Sequence, residues 1–108
     1  MINAKILGQS APNATTLTDI YTVPASTVAR VWALMVCNRD ATATTYRFSI
    51  APAGAADATS QYVYYDIAIP ANETLNLDMD IPLQQTDKVR VYAGNGNLTF
   101  SIYGDEKT

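Results

Sequence analysis

The side chains best suited to chemistry in this chain are two carboxylates, Asp78 and Asp80, in the stretch DMD. On a β-strand they would share one face about 7 Å apart, because alternate residues point the same way. That spacing could assist Ca²⁺ binding or a paired-carboxylate mechanism. A Ca²⁺ site needs six or more oxygen ligands, however, and the neighbouring residues do not supply the rest. We therefore interpret the pair as a solvated strand face.

Histidine is absent, and the one cysteine is Cys37. The lack of histidine removes the commonest general base and metal ligand, along with Ser-His-Asp and Cys-His catalytic arrangements. A single cysteine cannot form an internal disulfide or a cysteine-based metal cage. The composition favours a protein that is not an enzyme and uses no cofactor or metal.

The densest glycine and asparagine cluster is GNGN at 94–97, between two alternating stretches of KVRVYAGNGNLTFSIYG. Position 99 is threonine and no helix pattern follows, so the cluster is not a dinucleotide-binding fingerprint, and no lysine follows as in a P-loop. Gly and Asn tolerate the positive φ that hairpin turns require. The sequence predicts a hairpin turn here, with Asn95 at an exposed tip that could touch a partner.

Alternation of apolar and polar residues recurs along the chain, whereas no long window has helical periodicity. In TTYRFSI, for example, Tyr46, Phe48 and Ile50 share one face. The pattern predicts seven strands with a further one at the N-terminus: 17–23, 27–38, 44–50, 61–69, 74–81, 88–93 and 97–103, with 2–7 as the eighth. Spacings of about ten residues indicate an all-β fold, a single antiparallel β-sandwich of jelly-roll or immunoglobulin-like type.

The chain has 108 residues, the length of one ordinary domain. GQSAPNATT at 8–16 reads as a linker, so residues 1–16 are predicted to be an N-terminal arm, with the strand at 2–7 as the alternative. The sandwich domain then covers 17–104, and 105–108 is a short tail. The small residues of 51–60 predict a surface loop.

The strand at 27–38 differs from the others because it is apolar on both faces. In one phase Trp32 and Leu34 point outward, and in the other Met35 and Cys37 do. Either the arm or a loop covers this outer face, or the face is a subunit interface anchored by Trp32 and Leu34. The tyrosines could widen such an interface or pair across strands within the fold. These are Tyr62, Tyr64, Tyr65, Tyr92 and Tyr103.

Charge is sparse: 16% of residues are charged, and the formal net charge is -3. Nucleic acids and anionic membranes require basic surface, so neither is an expected partner. A lightly charged surface suits packing against other protein, although a Thr- and Ala-rich β-protein needs no such explanation. No signal-peptide core or membrane-spanning run is recognisable, which predicts synthesis in the cytoplasm.

Three stretches resemble a family of small tailed-bacteriophage virion proteins. They are IYTVPASTVARVWALMVCNRDATATTYRFSIAPAGA, QYVYYDIAIPANETL and DKVRVYAGNGNLTFSIYGDE. The family shows a similar order, "LYTVP…VCN…F.V…AP.G", then "YDLPLPAN.T", then "VRVY……SF..FG". The similarity runs from about Ile20 to Gly104.

The resemblance implies a structural protein located in the virion. The first interpretation is a capsid decoration, or cement, protein that forms a homo-oligomer and binds the major capsid protein or other virion subunits. The second is a neck, tail or fibre-adaptor protein. The tyrosines suggest a third, a carbohydrate-binding module for host attachment, since aromatic faces can stack on sugars.

Overall fold

The computed structural model describes residues 2–108, which form two four-stranded antiparallel sheets. The strands are β1 (Ile2–Ser10), β2 (Thr18–Thr22), β3 (Val28–Asn38), β4 (Thr44–Ala51), β5 (Tyr62–Ile69), β6 (Thr74–Leu83), β7 (Lys88–Ala93) and β8 (Leu98–Lys107). The helical segments, Pro52–Gly54 and Thr59–Gln61, are single 3-10 turns in the predicted surface loop. Across residues 2–108, no helix has the length and apolar character needed to cross a membrane.

The strand order is that of a jelly roll. Sheet I has the order β1-β8-β3-β6, and sheet II has the order β2-β7-β4-β5. The pairs β1–β8, β2–β7, β3–β6 and β4–β5 form one long antiparallel ribbon. Folding this ribbon over itself adds the pairs β3–β8 and β4–β7. The predicted all-β sandwich is confirmed, and of its two named types the jelly-roll order is the one observed.

The core lies between the sheets and follows the predicted alternation. On β7, Val89 and Val91 are fully buried, while Lys88 and Arg90, which alternate with them, remain partly exposed. The same alternation of buried and more exposed residues is seen on β4 and β8. On the edge strand β6 it is weaker, because most of its inward residues are only half-buried. The largest fully buried side chains are Tyr46, Phe48, Phe100, Leu34, Ile69, Leu83, Leu98 and Ile102. Removing such residues from water is the main source of stability for a domain of this size.

Residues 2–10, within the segment predicted as an arm, form strand β1 of sheet I. This strand pairs with β8 along its length, and its Leu7 is buried in the core. Gly8 allows close packing on β2, since an added Cβ would lie 2.2 Å from the carbonyl oxygen of Ile20. The predicted eighth strand therefore exists and is longer than 2–7. At the other terminus, β8 continues through Lys107 into the predicted tail.

The prediction of a hairpin at 94–97 is wrong. The loop leaves β7 in sheet II and enters β8 in sheet I, so it crosses between sheets and joins no paired strands. None of its residues has a positive φ. Gly94 is required for a different reason, because an added Cβ would lie 2.6 Å from the Oγ1 atom of Thr44. The loop is held by its own side chains: the carboxamide oxygen of Asn95 accepts a hydrogen bond from the Asn97 N–H at 2.9 Å.

A polar contact joins the two sheets near the chain ends. Glu106 on β8 accepts a hydrogen bond from the hydroxyl of Tyr21 on β2, and its carboxylate lies 3.2 Å from the Nζ atom of Lys5 on β1. The hydrogen bond from Tyr21, with a further contribution from Lys5, lowers the pKa of Glu106. The folded state therefore favours the charged carboxylate.

Candidate functional site

Strand β3 contains a bulge at Trp32. In the register of β3 with β8, Trp32 is one extra residue between Val31 and Ala33, and the register of β3 with β6 also shifts there. Val31 and Leu34 are both fully buried although they are three residues apart. The residues between them therefore lie on the outer side of sheet I, and Trp32 is 43% exposed there. One extra residue in a strand has this effect because it reverses the inward and outward phase.

Gly104 on β8 makes room for the bulge. It lies opposite Val31, the last residue in register before the shift. An added Cβ on Gly104 would lie 1.9 Å from the carbonyl oxygen of Arg30, which is backbone and cannot rotate away. A glycine at this position allows the β3 backbone to approach as closely as it does.

An apolar band extends across β1, β8 and β3 on the outer face of sheet I. Ile6, Tyr103 and Ala33 lie side by side in register on β1, β8 and β3. Trp32 adjoins Ala33 at the bulge, and the half-buried Met35 continues the row along β3. Ile6 is 52% exposed. We call these five residues the Trp32 band.

Charged residues on β6 border the Trp32 band, and Asp78 lies opposite Ala33 in register. Asp80 accepts a hydrogen bond from Arg30, and Asp78 is exposed two residues away on β6. No group of three or more His, Cys, Asp or Glu residues that could hold a metal ion occurs within 2–108. Asp80 thus forms an ordinary surface ion pair with its neighbour strand.

Sheet II has a different outer face, built around Arg47 on β4. The Cζ atom of Arg47 lies 4.1 Å from the ring centroid of Tyr65 and 4.2 Å from that of Tyr92. Its Nε and Nη2 atoms donate to the two carboxylate oxygens of Asp66, at 2.7 and 3.3 Å. The hydrogen bond to Asp66 raises the pKa of Arg47 above its ordinary value. One carboxylate and two aromatic rings therefore hold the guanidinium in place. We call Arg47 with these partners, Asp66, Tyr65 and Tyr92, the arginine clamp.

Next to this clamp, Tyr62 and Tyr65 form an aromatic corner. Their ring centroids are 4.9 Å apart and their planes meet at 84°. Together with Thr59, they line a cleft of about 360 Å³. The hydroxyl of Tyr62 donates to a carboxylate oxygen of Asp57 at 3.4 Å, a long hydrogen bond.

The other charges on sheet II are paired. Asp19 on β2 accepts hydrogen bonds from the Nζ atom of Lys88 at 3.1 Å and from the Nε atom of Arg90 at 2.9 Å. Both cations lie on β7. Each named cation on this face therefore has an acidic partner within the chain.

Four of the predicted contact residues lie on opposite faces of the sandwich. Trp32 and Tyr103 belong to the Trp32 band on sheet I. Tyr62 and Tyr92 lie on the outer face of sheet II, in the corner and the arginine clamp. One of the two alternatives from the sequence was a single surface widened by these tyrosines, whereas the fold separates these residues into two groups.

The remaining three predicted residues are placed elsewhere. Leu34 is fully buried in the core, because the bulge turns it inward, and its predicted outward position is wrong. Tyr64 packs toward the core, 6.1 Å from Phe48 between ring centroids. Asn95 lies in the loop between β7 and β8.

Residues that the sequence did not single out complete both surfaces. Ile6 belongs to the Trp32 band but lies in the segment predicted as an arm. Arg47 and Asp66 form the clamp on sheet II. Alternation in β4 does place Arg47 on the outer face, but only the β4–β5 and β4–β7 registers bring Tyr65 and Tyr92 to it.

No protein-family model matches this chain, and a search of curated proteins finds no significant similarity. The functional proposal therefore depends on the two outer faces and on the resemblance in the sequence.

Proposed function

We propose that this chain is a non-enzymatic structural protein of a tailed-bacteriophage virion, a capsid decoration protein that binds neighbouring capsid subunits. It would be made in the host cytoplasm and retained in the particle. The observation that supports this proposal most strongly is the Trp32 band. The strand and turn residues shared with small virion proteins supply the virion context.

The chemistry of the Trp32 band suits burial against another protein. Trp, Tyr and Met are enriched in protein interfaces, and buried Trp residues often dominate the binding energy. None of the five residues of the band is charged, and the adjacent carboxylate of Asp78 lies at its β6 edge, where it can keep its hydration on docking. The flanking pair of Arg30 and Asp80 gives the face a polar rim.

The jelly roll agrees with this role by analogy. The same architecture occurs in viral capsid domains and in lectins. A fold does not determine a function, so the analogy supports a virion role only together with the surface.

Assembly on a symmetric shell explains how a face of modest affinity could keep the protein bound to the particle. A homo-oligomer with several Trp32 bands would engage repeated capsid subunits at once. Each further contact then becomes intramolecular, and the combined affinity exceeds that of one face by about 10²–10⁴. Most of the band lies on paired strands, so little conformational entropy is lost on binding.

The test is the copy number of the chain in purified particles. Quantitative mass spectrometry should find hundreds of copies per particle for a decoration protein. A few to dozens of copies would instead assign the chain to the neck, tail or fibre adaptor. Absence from intact, infectious particles would contradict both assignments.

A further inference from the structure

A second surface, independent of the Trp32 band, carries the features of a small-ligand site. Tyr65 is 52% exposed, and its ring stands nearly perpendicular to that of Tyr62. With Thr59 these rings border an open cleft of about 360 Å³, near the lower limit for small-molecule pockets. A cleft of this size can hold one or two compact rings.

Contacts within the chain orient one wall of the aromatic corner. The guanidinium of Arg47 packs on Tyr65 and is itself fixed by Tyr92 and by both oxygens of Asp66. A wall that is already ordered loses little conformational entropy when a ligand binds. The clamp thus gives Tyr65 a defined orientation although half of its surface is exposed.

Polar groups surround the apolar walls. Thr59 lines the cleft, and the Tyr62 hydroxyl donates to Asp57. Burial, with a further contribution from Asp57, raises the pKa of Tyr62, so the phenol stays protonated at neutral pH. Hydroxyls and carboxylates of this kind can exchange hydrogen bonds with a ligand that carries several hydroxyl groups.

The local backbone disfavours a peptide strand as the ligand. The register between β4 and β5 shifts twice, once between Tyr46 and Phe48 and once between Phe48 and Ser49. Asp66 also adopts a left-handed φ of 52°. Bulges of this kind interrupt the edge along which an added strand would have to pair.

We infer that the corner of Tyr62, Tyr65 and Thr59 binds a neutral pyranose unit of a saccharide. The C–H face of the sugar ring would stack on the electron-rich tyrosine face, and its hydroxyls would reach Thr59, Tyr62 and Asp57. Arg47 is engaged by Asp66, so it is not free to recognise an acidic sugar. The site belongs to the isolated chain and does not require the virion role.

Saturation-transfer NMR on the purified chain tests this site. The probes are the methyl glycosides of glucose, galactose, mannose and N-acetylglucosamine at about 10 mM, which detects dissociation constants in the millimolar range. At least one glycoside should receive saturation at its ring protons. Tyr65→Ala should reduce that signal at least about tenfold, by removing one wall of the cleft.

Two matched variants complete the experiment. Tyr103→Ala removes an aromatic ring from the opposite face and should leave the signal unchanged. Tyr62→Phe keeps the second wall but removes its hydroxyl, and should weaken binding less than Tyr65→Ala does. A one-dimensional proton spectrum confirms that each variant is folded.

Several results would overturn the inference. One is the absence of saturation transfer to all four glycosides. Another is an equal signal from wild type and Tyr65→Ala, or an equal loss in Tyr103→Ala. If Tyr65→Ala impaired attachment to particles while no glycoside bound, the corner would be a protein contact instead. The copy-number experiment is unaffected by any of these outcomes, so the two proposals can fail separately.

Discussion

On sheet II, Tyr65 and Tyr92 enclose the guanidinium of Arg47, which also pairs with Asp66. On sheet I, Trp32 projects from a bulge, and within residues 2–108 no aromatic or cationic side chain stacks on it. Both faces present aromatic side chains to the outside. They differ in how many stacking and hydrogen-bonding partners those side chains already have within the chain.

This difference separates two uses of an aromatic surface. The polar and aromatic groups of sheet II are ordered by their neighbours, which suits a preformed site for a small ligand. Each exposed apolar group of the Trp32 band would gain about 25 cal/mol per Å² if it were covered. Sheet I therefore has more to gain from a protein partner than sheet II has.

The largest expected effect on stability is at Gly104, which supports the bulge of sheet I. Gly104→Ala should lower the free energy of unfolding by about 3 kcal/mol, because the new Cβ would collide with the carbonyl of Arg30. Urea denaturation measures the loss. Emission from Trp32, the one tryptophan, should shift because the bulge that positions it must move.

Gly96→Ala is the matched control for this variant. An added Cβ there approaches no atom closer than 4.0 Å, so stability should change by less than about 0.5 kcal/mol. If Gly104→Ala were as stable as Gly96→Ala, the close approach that defines the outward position of Trp32 would be refuted.

A smaller effect is expected at Glu106, which joins the two sheets beneath their outer faces. Glu106→Gln should cost about 2 kcal/mol at neutral pH, since hydrogen bonds to a charged group are worth about 1.5–3 kcal/mol. Folding lowers the pKa of Glu106 from its ordinary 4.5. The contribution is therefore complete above about pH 4.5 and is lost as the pH falls through the lower folded value.

Stability curves from pH 7 to pH 3 check this expectation. The difference between wild type and Glu106→Gln should shrink as the pH falls below 4.5. Glu73→Gln, which removes one exposed glutamate charge, should change stability at neutral pH by less than about 0.5 kcal/mol. A gap for Glu106→Gln that stayed constant across the range would show that the carboxylate charge is not what joins the sheets.

The smallest expected effect on stability comes from replacing one arginine on each face. Arg47→Lys should cost about 1 kcal/mol, because an ammonium cannot reproduce the planar stack or the paired hydrogen bonds to Asp66. Arg30→Lys alters an exposed ion pair on sheet I and should change stability by less than about 0.5 kcal/mol. Thermal or urea unfolding of the two variants measures both values. Equal losses would mean that the sheet II face is no better ordered than the sheet I face.

The sequence predicted those parts of the fold that depend on local alternation. The inward positions of Phe48, Val91 and Phe100 follow from period two and are confirmed. The jelly-roll order could not be separated from an immunoglobulin-like one, because it depends on which distant strands pair. The loop at 94–97 shows the same limit, since its glycines fit a hairpin as well as they fit a crossing between sheets.

The candidate surfaces were predicted less completely than the core. The double apolar character of strand 27–38 did point to Trp32, but it could not show the bulge that turns Leu34 inward. The bulge depends on Gly104, which is 72 residues from Trp32 in the chain. The arginine clamp likewise requires β4, β5 and β7 to pair in the correct register, and no local sequence pattern predicts that pairing.

We propose that the Trp32 band, and not the face of sheet II, binds the particle. The most direct test measures how tightly Trp32→Ala and Tyr65→Ala bind to purified particles that lack the chain, with folding of each variant checked by denaturation. Trp32→Ala should remain folded and bind at least about thirtyfold more weakly, as for a hot spot of about 2 kcal/mol, while Tyr65→Ala should bind as wild type does. Wild-type binding by folded Trp32→Ala, or an equal loss in Tyr65→Ala, would contradict the account.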